Sequence, residues 1–275
     1  LLLQKVKRSL KTQRLTLQKL LDSESDLMIS IKSAKQIDKM RESCKLTKEL
    51  FLLLEEKVKP GISTKELDKI AYDFYKKHGA TPNFLNYDGY PATICASIND
   101  EVVHGIPSKH KILRDGDIVS IDMGCVLDGW HSDAARTFAV GKISDEAQRL
   151  IDVTKQSFFE GIKMVKHGAK LGDVSSAIQK YVEDNGFGVV RDLVGHGIGR
   201  SMHEDPSVPN FGRAGRGVKL AAGMALAIEP MVTAGDYHVS VLDDDWTVVT
   251  DDGSLAAHYE NTVIVTREGC EILTL

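Results

Sequence analysis

The sequence predicts a mixed α/β (α+β) protein whose two structurally related halves pack into one body. Three observations predict it. Amphipathic helical patterns precede stretches rich in β-branched residues. The turns between neighbouring β stretches are short, which favours antiparallel hairpins over βαβ crossovers. A helical block also recurs 107 residues later without a gap: VKPGISTKELDKIAYDFYKKHG at 58–79 aligns with VKHGAKLGDVSSAIQKYVEDNG at 165–186.

Residues 1–27 carry six basic side chains against three acidic ones, with leucines at roughly helical spacing but no continuous apolar run or cleavage site of a secretory signal. An organellar transit peptide or a docking helix is open here. The simpler expectation is a dispensable basic extension ahead of a natural start at Met28, with residues 28–275 as a single catalytic domain. From Ser33, the positions Ile37, Met40, Cys44, Phe51 and Leu54 recur every three or four residues as one buried stripe would, until Pro60-Gly61 stops the helix. Ser63 or Thr64 caps a second helix that carries Leu67, Ile70 and Phe74 and ends at Gly79. Another long helical pattern over 144–166 introduces the second copy.

The β segments are ATICASI (92–98), DIVSIDMG (117–124), ARTFAV (135–140), MALAIEPMV, YHVSV, WTVVT and YENTVIV. Leu127-Asp128-Gly129 and Asp251-Asp252-Gly253 supply hairpin turn signals.

Composition narrows the function. With 42% hydrophobic and 27% charged residues, the chain is an ordinary soluble globular protein rather than a disordered one. No apolar run approaches the roughly 18 residues that span a bilayer. The net charge of −4 splits into +3 for residues 1–27 and −7 for the rest, so the acidic body has no bulk attraction for nucleic acid. Cys44, Cys95, Cys125 and Cys270 are widely spaced and lack a CxxC, which points to a reducing, cytoplasmic compartment. Neither a GxGxxG nor a Walker motif is present, so nucleotide chemistry has no support.

Polar acids stand where a strand prefers apolar residues: Asp122 in DIVSIDMG, Asp133 in WHSDAARTF, Glu229 in ALAIEPMV and Glu260 opening YENTVIV. Any one of them is more often an ordinary strand-end carboxylate. Four brought together would repel one another unless cations or protons neutralise them. In GHGIGRSMHEDPSVPNF, His196 stands between two glycines, which suit a tight turn that points the imidazole into a cavity. One neutral imidazole and four carboxylates carry −4, which two divalent ions balance. Oxygen-rich ligation with one nitrogen favours manganese, iron or cobalt and fits two-metal hydrolysis.

In these motifs the sequence resembles the type I methionine aminopeptidases over essentially all of residues 28–275. The order Asp, ten residues, Asp, then GHGIG, IEP and YEN carries the resemblance. It implies the pita-bread fold, a pseudo-twofold antiparallel sheet backed by helices. It also implies removal of the N-terminal methionine from peptides and nascent chains, preferentially before a small second residue, by hydroxide attack on the first peptide bond.

As implied by that resemblance, Asp133 and Glu260 bridge two divalent metal ions (Co, Mn or Fe), Asp122 chelates one, and His196 with Glu229 completes the other. Glu229 is also the base. A bound divalent ion lowers the pKa of water toward about 7. His104, in NDEVVHGIP, faces the scissile amide, and His203 donates to the developing oxyanion. Tyr87, Tyr90 and Cys95, with Phe84, Met202 and Trp246, wall the methionine pocket. Sulfur and aromatic faces suit a thioether.

The family commonly has Gln two places before the glutamate and His after it; here those positions are His258 and Asn261. The 30 residues between Glu229 and Glu260 leave no room for the type II helical insertion, so the bacterial type is the match. The cotranslational task implies transient ribosome contact, with no membrane or specific nucleic-acid partner. Xaa-Pro aminopeptidases or prolidases, and non-catalytic pita-bread binding modules, are the competing readings. The former usually carry a large extra amino-terminal domain, and the latter typically lose metal ligands.

Overall fold

The computed structural model describes residues 28–275; segment 1–27, with the helix and dispensability expected of it, lies outside the described residues. Helix α1 (Ala34–Glu55) begins where Gln36 Oε1 reaches back to accept the Ser33 N–H at 2.8 Å, and it buries the expected stripe of Met40, Cys44, Phe51 and Leu54. Helix α2 (Thr64–Lys77) starts on a reciprocal capping box, Ser63 Oγ accepting from Glu66 N–H and Glu66 Oε2 from Ser63 N–H. Strands β1 (Thr81–Pro82), β2 (Cys95–Ile98), β3 (Glu101–Val103), β4 (Ile118–Leu127) and β5 (Trp130–Ala139) complete the first half.

The second half repeats the plan. Helix α3 (Asp145–Ile162) is capped by Ser144 Oγ, and Asp145 and Glu146 in its first turn complement the helix dipole. Helix α4 (Leu171–Asp184) follows. Then come β6 (Gly188–Val189), β7 (Gly195–Gly197), β8 (Glu204–Val208), β9 (Ala225–Ile228) and β10 (Met231–Thr233). The chain ends with β11 (Val239–Val241), β12 (Val248–Thr250), β13 (Ala256–His258), β14 (Glu260–Val265) and β15 (Cys270–Ile272).

Among the described residues the main sheet has nine strands in antiparallel pairs, ordered β1-β4-β5-β14-β9-β7-β8, with β2 also on β4 and β15 on β14. Two three-stranded sheets, β13-β10-β6 and β11-β12-β3, stand beside it. Helix α1 packs on β4 and β5, and α3 packs on α4, β10 and β13. Leu50, Leu54, Leu67 and Ile121 fill the core of one half, and Phe158, Val174, Ile178 and Leu226 fill the other. This is the pseudo-twofold, helix-backed pita-bread fold.

The repeat extends well past the aligned segment. Gly61 and Gly168 are both left-handed (φ 95 and 90), as are Gly79 and Gly186 (φ 70 and 78). Gly61 N–H donates to Leu113 O and Gly168 N–H to Leu220 O, each at 2.8 Å. The isolated bridges Ser63–Ile112 and Lys170–Lys219 also stand 107 residues apart. The same offset maps the start of β4 onto the start of β9, and so Asp122 onto Glu229. In the main sheet the halves meet at β5 and β14, through the pairs Glu260–Ala135 and Asn261–Ala134.

One turn behaves as expected and the other does not. Asp128 (φ 51) and Gly129 (φ 74) close the β4–β5 hairpin with both central residues left-handed, as a type I′ turn requires. Asp251–Gly253, expected to close a hairpin, instead links strands of two different sheets, because β12 pairs with β11 and β3 whereas β13 pairs with β10. Its Asp252 carboxylate accepts the Asp236 N–H at 2.7 Å, docking the turn on a neighbouring loop.

Candidate metal centre and substrate pocket

Five adjacent strand positions of the main sheet each present one expected ligand: Asp122 on β4, Asp133 on β5, Glu260 on β14, Glu229 just past β9, and His196 on β7. Pairing explains why they converge. Asp122 and Glu260 both stand opposite Ala135, and Asp133 lies two residues from Ala135 on the same face. The small Ala135 side chain leaves the space between them open. His196 stands opposite Ala227, and Glu229 follows two residues further on that face.

Burial raises all four carboxyl groups. Asp122 is pushed up to about 8 by burial. Asp133, Glu229 and Glu260 are held well above the ordinary carboxylate range by burial first and then by neighbouring carboxylate charge, that of Asp122 acting on all three. Burial and the neighbouring His203 bring His196 down to about 3, leaving a neutral imidazole with one nitrogen lone pair to offer. Asp122 Oδ1, Asp133 Oδ1 and Glu260 Oε1 are buried without a hydrogen-bond partner among the described residues. One ligand atom each from Asp133, His196 and Glu260 lies within 4.8 Å of the others. Orphaned oxygens that repel one another, beside a neutral nitrogen, fit divalent cations.

The glycines around His196 act differently from the expected tight turn. Both lie within an extended strand. A Cβ on Gly195 would stand 2.3 Å from Ala227 O, and one on Gly197 would stand 2.2 Å from Asp205 O. They are small so that β9 and β8 can close on either side of the histidine, whose Nδ1 lies 2.8 Å from Gly197 O.

The five ligand residues line a cavity of about 220 Å³ together with His104 and His203. His104 occupies the left-handed region (φ 59) directly after β3, uncommon for a non-glycine residue. Burial, aided by His203, lowers it to about 4. His203 packs edge-on against His196 with ring centroids 4.3 Å apart. All six expected pocket residues, Phe84, Tyr87, Tyr90, Cys95, Met202 and Trp246, line the same cavity. Phe84, Tyr90, Cys95 and Met202 form a buried cluster with Trp246 against it. The Tyr90 hydroxyl is satisfied by Ile94 O and Gly105 O, each at 3.1 Å, so its ring, T-shaped against Trp246, is what it offers the cavity.

Val103, Leu193, Val194 and Met231 also line the cavity and were not legible in the sequence, where an apolar residue beside a strand looks like any core residue. The two departures separate. His258 lines the cavity, whereas Asn261 Oδ1 accepts from Arg136 Nη2 at 2.7 Å and Thr274 Oγ1 at 3.0 Å.

The chain is similar to known proteins over most of its length. A match to "Metallopeptidase family M24" spans residues 38–267. Methionine aminopeptidase of Clostridium acetobutylicum is 58% identical over 248 residues, covering 90% of this chain and 99% of that protein. Methionine aminopeptidase 1 of Bacillus subtilis is 49% identical over 247 residues, covering 90% and 99%. The crystal structure of methionine aminopeptidase from Rickettsia prowazekii superposes with a TM-score of 0.89 at 46% identity, covering 90% of this chain and 100% of that one. The match takes in every strand that contributes to the carboxylate–imidazole centre, and on it the chain belongs to metallopeptidase family M24.

Proposed function

We propose that this protein is a metal-dependent methionine aminopeptidase, which hydrolyses the first peptide bond of chains beginning with methionine. The observation that carries the reading is the junction of two surfaces in one small cavity. A wall of aromatic rings, the Cys95 thiol and the Met202 thioether adjoins the five-ligand centre. That wall matches an unbranched thioether in shape and polarisability. A cavity of about 220 Å³ admits one terminal side chain and its peptide bond, which favours removal of a single residue.

In this reading Asp122, Asp133, His196, Glu229 and Glu260 hold two divalent ions. When bound, such ions supply Lewis acidity that makes water nucleophilic near neutral pH and polarises the scissile carbonyl. Glu229 accepts a proton from the attacking water and returns it to the departing amine nitrogen as the C–N bond breaks. His203 donates a hydrogen bond to the carbonyl oxygen as charge builds there. His104, neutral near pH 7, contacts the amide nitrogen. The aromatic wall excludes solvent and sets the register of the chain.

The donor set favours manganese, iron or cobalt. Preference for a small second residue, transient contact with the ribosome and a cytoplasmic location follow from the same task; among the described residues, no helix is long and apolar enough to cross a membrane. The test is release of methionine from Met-Ala-Ser by metal-free protein titrated with Mn²⁺, Fe²⁺ and Co²⁺, beside a Gly-Pro peptide. Turnover of Met-Ala-Ser restored by metal supports the reading. No release with any of the three metals, or faster cleavage of Gly-Pro, overturns it.

A further inference from the structure

His258 is a histidine that the ligand set does not use. It ends β13, on the small β13-β10-β6 sheet, and is 1% exposed. Neither ring nitrogen has a hydrogen-bond partner among the described residues. A neutral imidazole carries one N–H donor and one lone pair, and leaving such groups buried and unmet is costly. The backbone that carries the ring is itself held. His258 N–H donates to Thr137 Oγ1 at 2.9 Å, and Thr137 Oγ1 donates to His258 O at 3.0 Å.

The ring faces the candidate base. Glu229 Oε2 lies 3.9 Å from His258 Nε2, while Glu229 Oε1 lies 3.6 Å from His196 Nε2. Two imidazoles therefore bracket one carboxylate, each beside a different oxygen. His196 comes from the main sheet and His258 from the small one, so Glu229 is approached by two separately supported elements. A carboxylate shift of about 1 Å would bring the His258 pair into hydrogen-bond range.

We propose that His258 is a positioning residue that donates Nε2–H to Glu229 Oε2 and fixes that carboxylate for metal binding and proton transfer. The inference rests on the methionine aminopeptidase reading for the base role of Glu229, and on geometry alone for the contact. His258 also lines a second cavity of about 430 Å³, together with Arg136 and Tyr259, so the residue stands between that space and the active cavity. A test variant must keep this position filled.

The experiment compares the parent with His258→Leu, which fills similar volume without a donor, and His258→Gln, which restores an N–H donor. Mn²⁺ binding to metal-free protein is read by titration calorimetry, metal-free Tm by thermal unfolding, and kcat and KM on Met-Ala-Ser. His258→Leu is expected to bind Mn²⁺ about 10-fold more weakly and to lose about 10-fold in kcat, with KM within about 2-fold and Tm not lowered. His258→Gln recovers most of both losses. His258→Leu binding Mn²⁺ as tightly as the parent, or His258→Gln as weak as His258→Leu, overturns the assignment. If the parent itself releases no methionine, the functional reading fails, while the Mn²⁺ titrations still decide the contact.

Discussion

The Tyr87 hydroxyl lies 2.8 Å from His203 Nδ1, with ring centroids 5.3 Å apart. Burial, and then the charge of Asp88, push the Tyr87 phenol up, so it stays protonated and can donate to Nδ1. That bond selects the tautomer with the proton on Nε2, the nitrogen free to donate to a substrate. Tyr87 thus has a polar contact in addition to its place in the cavity wall.

Tyr87→Phe keeps the ring and removes the hydroxyl. Loss of one such bond is worth about 0.5–1.5 kcal/mol, so kcat/KM on Met-Ala-Ser should fall about 2- to 12-fold with metal content unchanged. Steady-state kinetics and metal analysis check it. An unchanged kcat/KM would leave Tyr87 a packing residue.

Behind the sheet, Arg136 ties the two halves together. Its guanidinium donates to Ala135 O, Glu260 O, Asn261 Oδ1 and Thr274 O, and lies over the rings of Phe51 and Tyr259 at 5.1 and 4.4 Å. Arg136→Leu should cost about 1–3 kcal/mol in denaturant unfolding, because it leaves buried carbonyl and amide oxygens without a donor. Arg136→Lys should recover only part of this, since an ammonium cannot reproduce the planar fork. Full recovery by lysine would reduce the role to charge alone.

Lys32 and Glu204 form a largely buried pair at 2.7 Å, and Glu204 Oε1 also accepts the Arg200 and Ser201 N–H groups at 2.6 and 3.1 Å. Burial works to raise Glu204, but Lys32 and these amides outweigh it and hold the carboxyl below its ordinary 4.5. A depressed carboxyl stabilises the fold above its unfolded value and loses that contribution as pH falls through the folded one. Glu204→Gln should therefore be about 1–3 kcal/mol less stable than the parent at pH 7. The gap should narrow once pH falls below 4.5, where the unfolded parent's carboxyl takes up its proton, and close as pH passes below the depressed folded value. Urea unfolding at pH 7 and pH 4 checks the sign; a gap that widens in acid would contradict it.

Truncation separates the basic extension from the body. Met28 N–H donates to Asp205 Oδ2 at 3.0 Å and Lys32 N–H to Gly223 O at 2.8 Å, so residues 28–32 are tied to the fold. Deleting 1–27 should leave Met-Ala-Ser turnover within about 2-fold, since no matched motif lies there. Deleting 1–32 should lower the unfolding midpoint at least as much as Glu204→Gln, because it also removes Lys32. Equal behaviour of the two truncations would remove any role for residues 28–32.

Local physics made much of this molecule legible in its sequence. Ser63 and Ser144 announce their helices by capping chemistry, and the Asp128-Gly129 turn fixes the β4–β5 register. The short strands β7 and β8 were hidden, since GHG and EDPSV lack β-branched runs and their pairing rests on partners far along the chain. The destination of Asp251–Gly253 was hidden for the same reason: a turn signal specifies a reversal of the chain but not which strand receives it. Asp122, Asp133, Glu229 and Glu260 stood out because acids are costly inside strands. Met231 did not, since no local rule separates a cavity wall from a core.

The two-rung meeting of β5 and β14 gives the molecule the statics of an arch. Each duplicated half carries its own helices and core, and at the crown sit Asp133 and Glu260, whose like charges push apart. Whatever neutralises them acts as a keystone, bearing load from both sides. The chemistry of the site and the seam of the architecture therefore share one place.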